Sequence, residues 1–140
     1  MHLLDTDHMT VLERESARAG YLKARLATIP PDDIATTIIS YEEQTRGWLT
    51  VSAQARTADA QIAAYGRLQT HLQIYCKIAV LGYDEQAAAE FERLKRTRIR
   101  IGTMDLRIAA IALARNATLL TRNLVDFRKV PGLRVEDWTL

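Results

Sequence analysis

The chain has 140 residues, of which 48% are hydrophobic and 26% charged; this composition is typical of one globular domain and not of a collagen-like, disordered or disulfide-rich protein. The single cysteine, Cys76, excludes an internal disulfide and a cysteine-rich zinc site, and it fits a reducing cytoplasm. No apolar run approaches the roughly 20 residues that span a bilayer, and the first residues lack the basic and apolar regions of a signal peptide. We therefore expect one cytoplasmic domain over residues 1–140.

The net charge of +2 hides an asymmetry along the chain. Residues 1–90 hold 8 Lys and Arg against 12 Asp and Glu, for a balance of −4, whereas residues 91–140 hold 11 against 5, for a balance of +6. Clustered positive charge attracts polyphosphates, although a basic run can also be only a solvated helix face. Much of the excess is in Arg93, Lys95, Arg96, Arg98, Arg100 and Arg107.

The first quarter of the chain predicts a strand, a helix and a turn. The short apolar segment His2–Thr6 predicts the first strand. We expect a helix to follow it, capped by Asp7 or Thr10 and running to about Ala27, because Asp and Thr side chains accept hydrogen bonds from the first free amides of a helix. The Pro-Pro-Asp-Asp sequence at residues 30–33 then predicts a turn.

The next part of the chain predicts a second strand and two helices. The β-branched run Ile34–Ile39 predicts the strand, and Ser40 is placed to cap the helix after it. A long helix is predicted near residues 55–76, because its apolar residues recur at intervals of three and four. This stripe is interpreted as core, with a partner surface as the alternative. It consists of Ile62, Tyr65, Leu68, Leu72 and Tyr75.

The second half of the chain continues the alternation of strands and helices. Ile78–Leu81 predicts a third strand, and Asp84 is placed to cap the helix after it. A strongly apolar helix is predicted from Thr103 or Met104 through Arg115. A fourth strand is predicted over Ala117–Thr121, and a short fifth over Leu133–Val135.

Strands separated by helices imply right-handed crossovers and a parallel sheet that is covered on both faces. In such sheets, functional sites form at the carboxyl ends of the strands. Several residues whose side-chain oxygens could bind a metal follow predicted strand ends or open a neighbouring helix. They are Asp5, Asp7, Glu42, Glu43, Asp105, Asn123 and Asp126.

Carboxylates crowded at one edge raise one another's pKa unless a cation neutralises them. Hard divalent ions such as Mg²⁺ favour oxygen ligands, and they can activate water and stabilise charge on a phosphoryl oxygen. An acidic pocket beside the basic segment 93–107 therefore suits a polyanionic substrate. Simpler roles stay open for Asp7 as a helix cap and for Asp126 as a turn residue. Only one of Glu42 and Glu43 can face the pocket, because consecutive helical residues point about 100° apart.

Four segments that carry these residues resemble motifs of the PIN-domain family, and in particular of its VapC-like toxins. In the segment Ser40–Gly47, the family's metal-binding acid corresponds to Glu43. The leucine that normally follows it is replaced by Gln44, so Glu42 remains an alternative. The segments are His2–Asp7, Ser40–Gly47, Ile101–Ala110 and Leu119–Phe127.

The resemblance implies a three-layer α/β/α sandwich around a central parallel sheet of four to five strands. It also implies an Mg²⁺-dependent endoribonuclease, with Mn²⁺ as a substitute, in which water attacks the phosphodiester. Many members of the family have an acid where Asn123 stands, so one firmly bound ion is expected and either Asn123 or Asp126 fills the fourth position. The implied metal ligands are Asp5, Glu43, Asp105 and Asn123, and the implied catalytic residues are Asp5, Glu43, Asp105 and Asp126.

The family further implies three partners: an RNA substrate such as transfer or ribosomal RNA, a small antitoxin protein whose peptide blocks the acidic groove, and a second copy of the chain in a homodimer. Thr121 is expected to hydrogen-bond within the acidic cluster. The basic segment is expected to hold phosphates that flank the scissile one. Its predicted RNA contacts are Arg96, Arg98, Arg100 and Arg107.

Two other functions compete with the nuclease. A phosphatase-like fold would use Asp5 and Asp7 as a nucleophile and acid pair, but Lys95 and Lys129 are poorly placed to complete it. A catalytically weak PIN-like domain that binds RNA or protein is the second alternative, because Asn123 departs from the acidic set. The three histidines show no metal-ligand spacing and are not assigned a role in the site. They are His2, His8 and His71.

Overall fold

A computed structural model describes all 140 residues of the chain. Five short strands form one sheet, in which every pair of neighbours is parallel and the order is β3-β2-β1-β4-β5. The sheet confirms the predicted α/β architecture with a central parallel sheet. The strands are β1 (His2–Leu4), β2 (Ile34–Thr37), β3 (Ala79–Leu81), β4 (Thr118–Leu120) and β5 (Arg134–Glu136).

Seven helices surround the sheet, and a single 3₁₀ turn at Pro31–Asp33 precedes β2. None of the helices combines the length and the hydrophobicity that crossing a membrane would require. The helices are α1 (Thr6–Leu12), α2 (Ala17–Leu26), α3 (Ile38–Gln54), α4 (Ala58–Tyr75), α5 (Glu85–Arg96), α6 (Thr103–Ala114) and α7 (Leu124–Phe127).

The two faces of the sheet are covered by separate hydrophobic cores, because successive side chains of a strand point to opposite faces. Leu3 lies in the larger core, which contains the apolar residues of α5 and α6, and Leu4 lies in the smaller core with residues of α1 and α2. The residues Ile108–Ala112 of α6 are all fully or almost fully buried. This burial explains why the sequence of α6 is apolar on every side.

The region after β1 differs from the prediction of one helix capped by Asp7 or Thr10. The chain enters α1 directly from the strand, and the Asp5 carboxylate caps this helix by accepting from the backbone N–H of His8 at 2.8 Å. A second cap interrupts the predicted long helix, because the Ser16 hydroxyl accepts from the N–H of Ala19 and starts α2.

The junction between β2 and α3 also differs from the prediction. The strand ends at Thr37, whose hydroxyl caps α3 by accepting from the N–H of Ser40 at 3.0 Å. The β-branched residues Ile38 and Ile39 therefore belong to the first turn of the helix, because the cap outweighs their weak preference for strands. Ser40 does not cap the helix, and its side chain is available for another contact.

We predicted that the apolar stripe on α4 packs into the core, but most of it does not. The side chains of Ile62, Tyr65 and Leu72 are 73%, 61% and 54% exposed. The buried residues of α4 are instead Ala64, His71 and Tyr75, of which only Tyr75 belongs to the predicted stripe. Helix α4 packs mainly against α3. Most of its apolar stripe therefore faces away from both cores.

Candidate active site

Asp5 lies immediately after β1, the central strand of the sheet. Its backbone N–H continues the parallel ladder by donating to the carbonyl of Leu120 at 3.1 Å. The side chain is 6% exposed, and its Oδ1 accepts the capping hydrogen bond from His8. Oδ2 accepts no hydrogen bond from the protein, so Asp5 can cap a helix with one oxygen and offer the other to a ligand.

Glu43 faces the end of β1, whereas Glu42 does not. The Thr6 hydroxyl donates to Glu43 Oε1 at 2.7 Å, which ties α3 to the residue after Asp5. Glu42 accepts instead from the exposed Arg46 one turn further along the same helix, at 2.5 Å. The structure therefore brings Glu43, and not Glu42, to Asp5.

Three hydroxyl groups form a chain that ends on Glu43. Thr37 and Ser40 are fully buried, and their hydroxyl oxygens lie 3.2 Å apart. The hydroxyls of Thr6 and Ser40 lie 3.1 Å apart. Because each hydroxyl has one proton and the carboxylate can only accept, the donors run from Thr37 through Ser40 and Thr6 to Glu43. This order explains why Ser40 stands three residues before Glu43.

Asp105 joins these acids from the first turn of α6. Burial, followed by the negative charges of Glu43, Asp5 and Asp126, raises the pKa of Asp105 to about 6. Electrostatic coupling of this kind requires the four carboxylates to be close together. The structure thus brings Asp5, Glu43 and Asp126 near enough to Asp105 for their charges to raise its pKa, and the four acids come from different segments of the chain.

Asn123 and Asp126 form a connected pair after β4. The Asn123 amide donates from Nδ2 to Asp126 Oδ2 at 3.1 Å, and its oxygen caps α7 through the N–H of Asp126. Lys129 donates to Asp126 Oδ1 at 3.0 Å, and these two donors hold the pKa of Asp126 below its usual value. Thr121 is fully buried and supports the same turn by accepting from the Asn123 N–H at 2.9 Å.

Asp7 forms an ion pair at the edge of the pocket and does not cap a helix. Both of its oxygens accept from Arg122, with 2.6 Å between Nη2 and Oδ1. The Arg122 hydrogen bond is the main cause of the lowered pKa of Asp7. Arg122 was not predicted from the sequence; its position two residues after β4, at the sheet edge that carries the acids, is the one signal that could have indicated it.

His8, to which the sequence assigned no role, lies behind Asp5. It is fully buried, and its Nδ1 lies 3.5 Å from Asp5 Oδ1. One ligand atom each from Asp5, Asp7 and His8 lie within 4.8 Å of one another, which is close enough to hold a metal ion. However, the N–H of Trp138 donates to His8 Nε2 at 3.3 Å, so the ring proton is assigned to Nδ1. We therefore interpret His8 as a support for Asp5 and not as a ligand.

The predicted RNA-contacting arginines differ in their surroundings. Arg96, Arg98 and Arg100 are exposed and form no ion pair with a carboxylate. Arg107 is half-buried, and its guanidinium lies 5.5 Å from the centre of the Phe91 ring. Three of the four are thus free to meet a solvated ligand, whereas Arg107 is partly engaged in packing.

Comparison with known proteins places these features in one family. The family described as PIN domain matches residues 3–133. The "tRNA(fMet)-specific endonuclease VapC" of Salmonella typhimurium is 38% identical over 66 residues, an alignment that covers 44% of this chain and only 50% of that relative. "Ribonuclease VapC1" of Haemophilus influenzae strain R2866 is 27% identical over 144 residues, which cover 99% of this chain and 98% of the relative.

Solved structures show the same fold at low sequence identity. VapBC-1 from nontypeable Haemophilus influenzae superposes with a TM-score of 0.79 at 24% identity, and the match covers 99% of this chain and 98% of that chain. FitAB bound to an IR36 DNA fragment gives a TM-score of 0.75 at 22% identity, with 100% and 96% covered.

Proposed function

The chain belongs to the PIN domain family, and on that premise we propose that it is a metal-dependent endoribonuclease, the toxin of a toxin–antitoxin pair. The observation that carries this proposal is that Asp5, which follows β1, lies close enough to Glu43, Asp105 and Asp126 for the charges of the other three acids to act on Asp105. Such a site is suited to hydrolysis of phosphodiesters, because it can hold a hard cation against a polyanion.

The donor set fits Mg²⁺ or Mn²⁺. All the atoms that these residues offer to a metal are oxygens. Among the four acids, only Asp126 is paired with a cationic side chain, that of Lys129. Asp5, Glu43 and Asp105 would hold the ion, with Asn123 or Asp126 in the fourth position. When bound, the cation supplies charge stabilisation at a phosphoryl oxygen and lowers the pKa of water.

The residues around the ion would have different tasks. Thr6 would hold Glu43 in one orientation, and the backbone N–H of His8 would do the same for Asp5. Asp126 keeps its negative charge to low pH because Asn123 and Lys129 donate to it, so it would orient an attacking water and not accept the proton.

The substrate and partners are proposed by comparison with relatives. One relative is named as specific for tRNA(fMet), so we propose transfer RNA as the first substrate class to test and ribosomal RNA as the second. Arg96, Arg98 and Arg100 would bind phosphates on either side of the cut. Several of the matched structures are VapBC complexes, and a cognate antitoxin is proposed here for that reason. A homodimer is also proposed, with the exposed stripe of α4 as its candidate surface.

A binding domain without catalysis is the second candidate function, and one observation favours it. Asn123 brings no negative charge to the fourth position, and its amide nitrogen donates to Asp126. The phosphatase-like alternative has less support, because Arg122 already engages both oxygens of Asp7.

The nuclease proposal is tested by incubating the purified protein with total RNA in Mg²⁺ or in EDTA. Asp5→Asn is the informative variant, because asparagine also caps helices and the fold should be retained. Asp32→Asn is the matched control at an exposed residue outside the site. We expect cleavage that requires both Mg²⁺ and Asp5. Equal cleavage by Asp5→Asn would contradict the proposal, and RNA binding without cleavage would favour the binding domain.

A further inference from the structure

A groove leads away from the acidic pocket between α1 and the α3–α4 pair. Its near part has a volume of about 430 Å³ and is lined by Glu43 and by Thr6, the donor to Glu43. Its far part has a volume of about 640 Å³ and shares Thr10, Glu13 and Trp48 with the near part. A nucleotide chain whose scissile phosphate lies at Glu43 can therefore continue into the groove.

The most exposed charges in the far part of the groove are positive. Arg14, just after α1, and Arg67, on α4, are both exposed, and neither forms an ion pair with a carboxylate. Glu13 also lines this part, but its side chain is only 12% exposed and its Oε1 is buried on the side of His71. A polyanion that enters the groove therefore meets two cations that no acid of the protein neutralises.

Trp48 lies at the junction of the two parts, because it lines both of them. The residue is half-buried, and the Arg67 guanidinium lies 5.5 Å from the centre of its ring. An aromatic ring beside unpaired arginines suits single-stranded nucleic acid, because bases stack on the ring and phosphates pair with the cations. A base inside a duplex is already stacked on its neighbours, so this combination favours a single strand over a duplex.

Two of the helices that form the groove contain glycines that their own packing does not require. Gly47 of α3 lines the near part, and Gly66 of α4 lines the far part. A Cβ atom at either position would meet no other atom within 4 Å, although glycine inside a helix lowers its stability relative to alanine. The missing side chains keep the groove open at both positions, so that a strand can approach the helices closely.

We propose that this groove holds the single-stranded segment of the RNA substrate that adjoins the scissile phosphate. An unpaired base stacks on Trp48, and Arg14 and Arg67 bind the adjoining phosphates. The inference rests on the proposed nuclease function and deepens it, because it assigns the path of the strand to α1, α3 and α4. This path is separate from the basic segment at the end of α5.

Binding of a uridylate hexamer in EDTA tests the inference without any turnover. We expect the hexamer at saturating concentration to quench the fluorescence of Trp48, because a base stacks on its ring, and a blunt RNA duplex to leave the fluorescence unchanged. Trp48→Phe assigns the signal, since the only other tryptophan, Trp138, is 4% exposed. Absence of quenching by the hexamer, or equal quenching by the duplex, would overturn the inference. Both results come from the wild-type protein, so neither can be blamed on misfolding.

Filling the groove at a glycine separates binding from stability. Gly66→Gln places a helix-favouring side chain in the far part, so the urea midpoint of unfolding should not fall. We expect its affinity for the hexamer, measured by fluorescence anisotropy, to fall about tenfold, as for the loss of one stacked base. Gly20→Gln is the matched control and should keep the affinity, because Gly20 is also an exposed helical glycine with no atom near its Cβ, but it lies on α2 outside the groove. Unchanged affinity in a folded Gly66→Gln protein would contradict the proposed path.

Replacing Arg14 and Arg67 together by glutamine tests the phosphate contacts. We expect the slope of log affinity for the hexamer against log salt concentration to fall by about 1.4, because each phosphate contact with a single strand contributes about 0.7 to the slope. The control replaces Arg18 and Arg56, which are exposed and lie outside the groove, and should leave the slope unchanged. The same slope in the Arg14 and Arg67 double variant as in the wild type would overturn the assignment of the strand to this groove.

The outcome is independent of the nuclease test. RNA cleavage by a protein whose Trp48 is not quenched would leave the nuclease proposal standing and remove this path. Quenching that Gly66→Gln weakens, without any RNA cleavage, would keep a single strand in the groove and favour the binding domain. A hexamer that binds while Trp48 is unaffected would leave the groove to a protein partner and overturn the inference.

Discussion

Thr6 is the residue through which the hydroxyl chain reaches the acidic pocket. It donates to Glu43 and is the only side chain that does so. The chain behind it is buried, and each hydroxyl strengthens the next because the bonds all run in one direction. Thr6 therefore holds Glu43 in one orientation before any metal arrives.

Replacing Thr6 tests this role. Thr6→Val removes the donor with little change in shape, and we expect the affinity for Mn²⁺ to fall about tenfold, as is usual when a partner of a metal ligand is lost. Thr6→Ser keeps the hydroxyl and should retain the affinity. Electron paramagnetic resonance of bound Mn²⁺ measures both. Equal affinities for the valine and serine variants would show that the hydroxyl does not position Glu43.

Asp105 makes the stability of the metal-free protein depend on pH. Its pKa is raised from 3.8 to about 6, so the folded state binds more protons than the unfolded state between these values. The corresponding stability is present below the unfolded pKa and is lost as the pH rises through about 6.

Asp105→Asn removes this dependence. We expect the variant and the wild type to be similar in stability at pH 4, and the variant to be more stable at pH 7 by on the order of 1 kcal/mol, after allowing for solvent screening of a half-buried group. Urea denaturation in EDTA at the two pH values measures the difference. A difference that does not change with pH would contradict this explanation.

The sequence predicted the acids of the site better than their supports. Asp5 follows β1, and Asp105 and Asp126 lie in the first turns of α6 and α7, so local patterns place these three near the ends of elements; Glu43 lies in the second turn of α3. The pair formed by Asp7 and Arg122 joins residues far apart in the chain, and no local pattern encodes it. The support of His8 by Trp138 was missed for the same reason.

Helix caps account for the element boundaries that the sequence predicted wrongly. The sequence predicted every strand, but the structure ends β2 two residues earlier because Thr37 caps α3. It also predicted one helix where Ser16 divides two. Propensity is averaged over several residues, whereas a cap acts through a single side chain, so periodicity alone could not locate these boundaries.

The segment after β5 anchors the smaller core. Trp138 is 4% exposed, packs with Leu4, and has the Arg25 guanidinium 4.5 Å from the centre of its ring. We expect Trp138→Ala to lower the free energy of unfolding by about 3–5 kcal/mol, as for other buried aromatic residues. Val125→Ala, at a residue that is 77% exposed, is the control and should be nearly neutral. Urea denaturation measures both; a loss below about 1 kcal/mol for Trp138→Ala would show that this segment is dispensable.

At the scale of the whole molecule, the sequence predicted the alternation of strands and helices and therefore the parallel sheet. It did not predict that most of the α4 stripe faces outward. An amphipathic helix has the same pattern whether its apolar face meets its own core or another protein, so only the packing of the complete chain separates the two.

The charge asymmetry gives a prediction about RNA affinity. We expect the affinity of the Asp5→Asn protein for RNA to fall as the salt concentration rises. In this background, replacing Arg96, Arg98 and Arg100 by glutamine should reduce the slope of log affinity against log salt concentration by about 2, because each phosphate contact with a single strand contributes about 0.7 to the slope. The control replaces the exposed Arg18 and Arg56. Fluorescence anisotropy over a salt series measures the slopes. A slope that the triple variant leaves unchanged would show that these arginines do not bind phosphates.

The central position of β1 has a consequence for synthesis of the protein. This strand precedes the other four in the chain, yet it pairs with β2 on one side and with β4, more than a hundred residues later, on the other. Asp5 therefore meets Asp126 only after β4 and the residues that follow it have been synthesised. A nascent chain that lacks β4 would carry no complete acidic cluster while it is still beside the RNA of the ribosome that makes it.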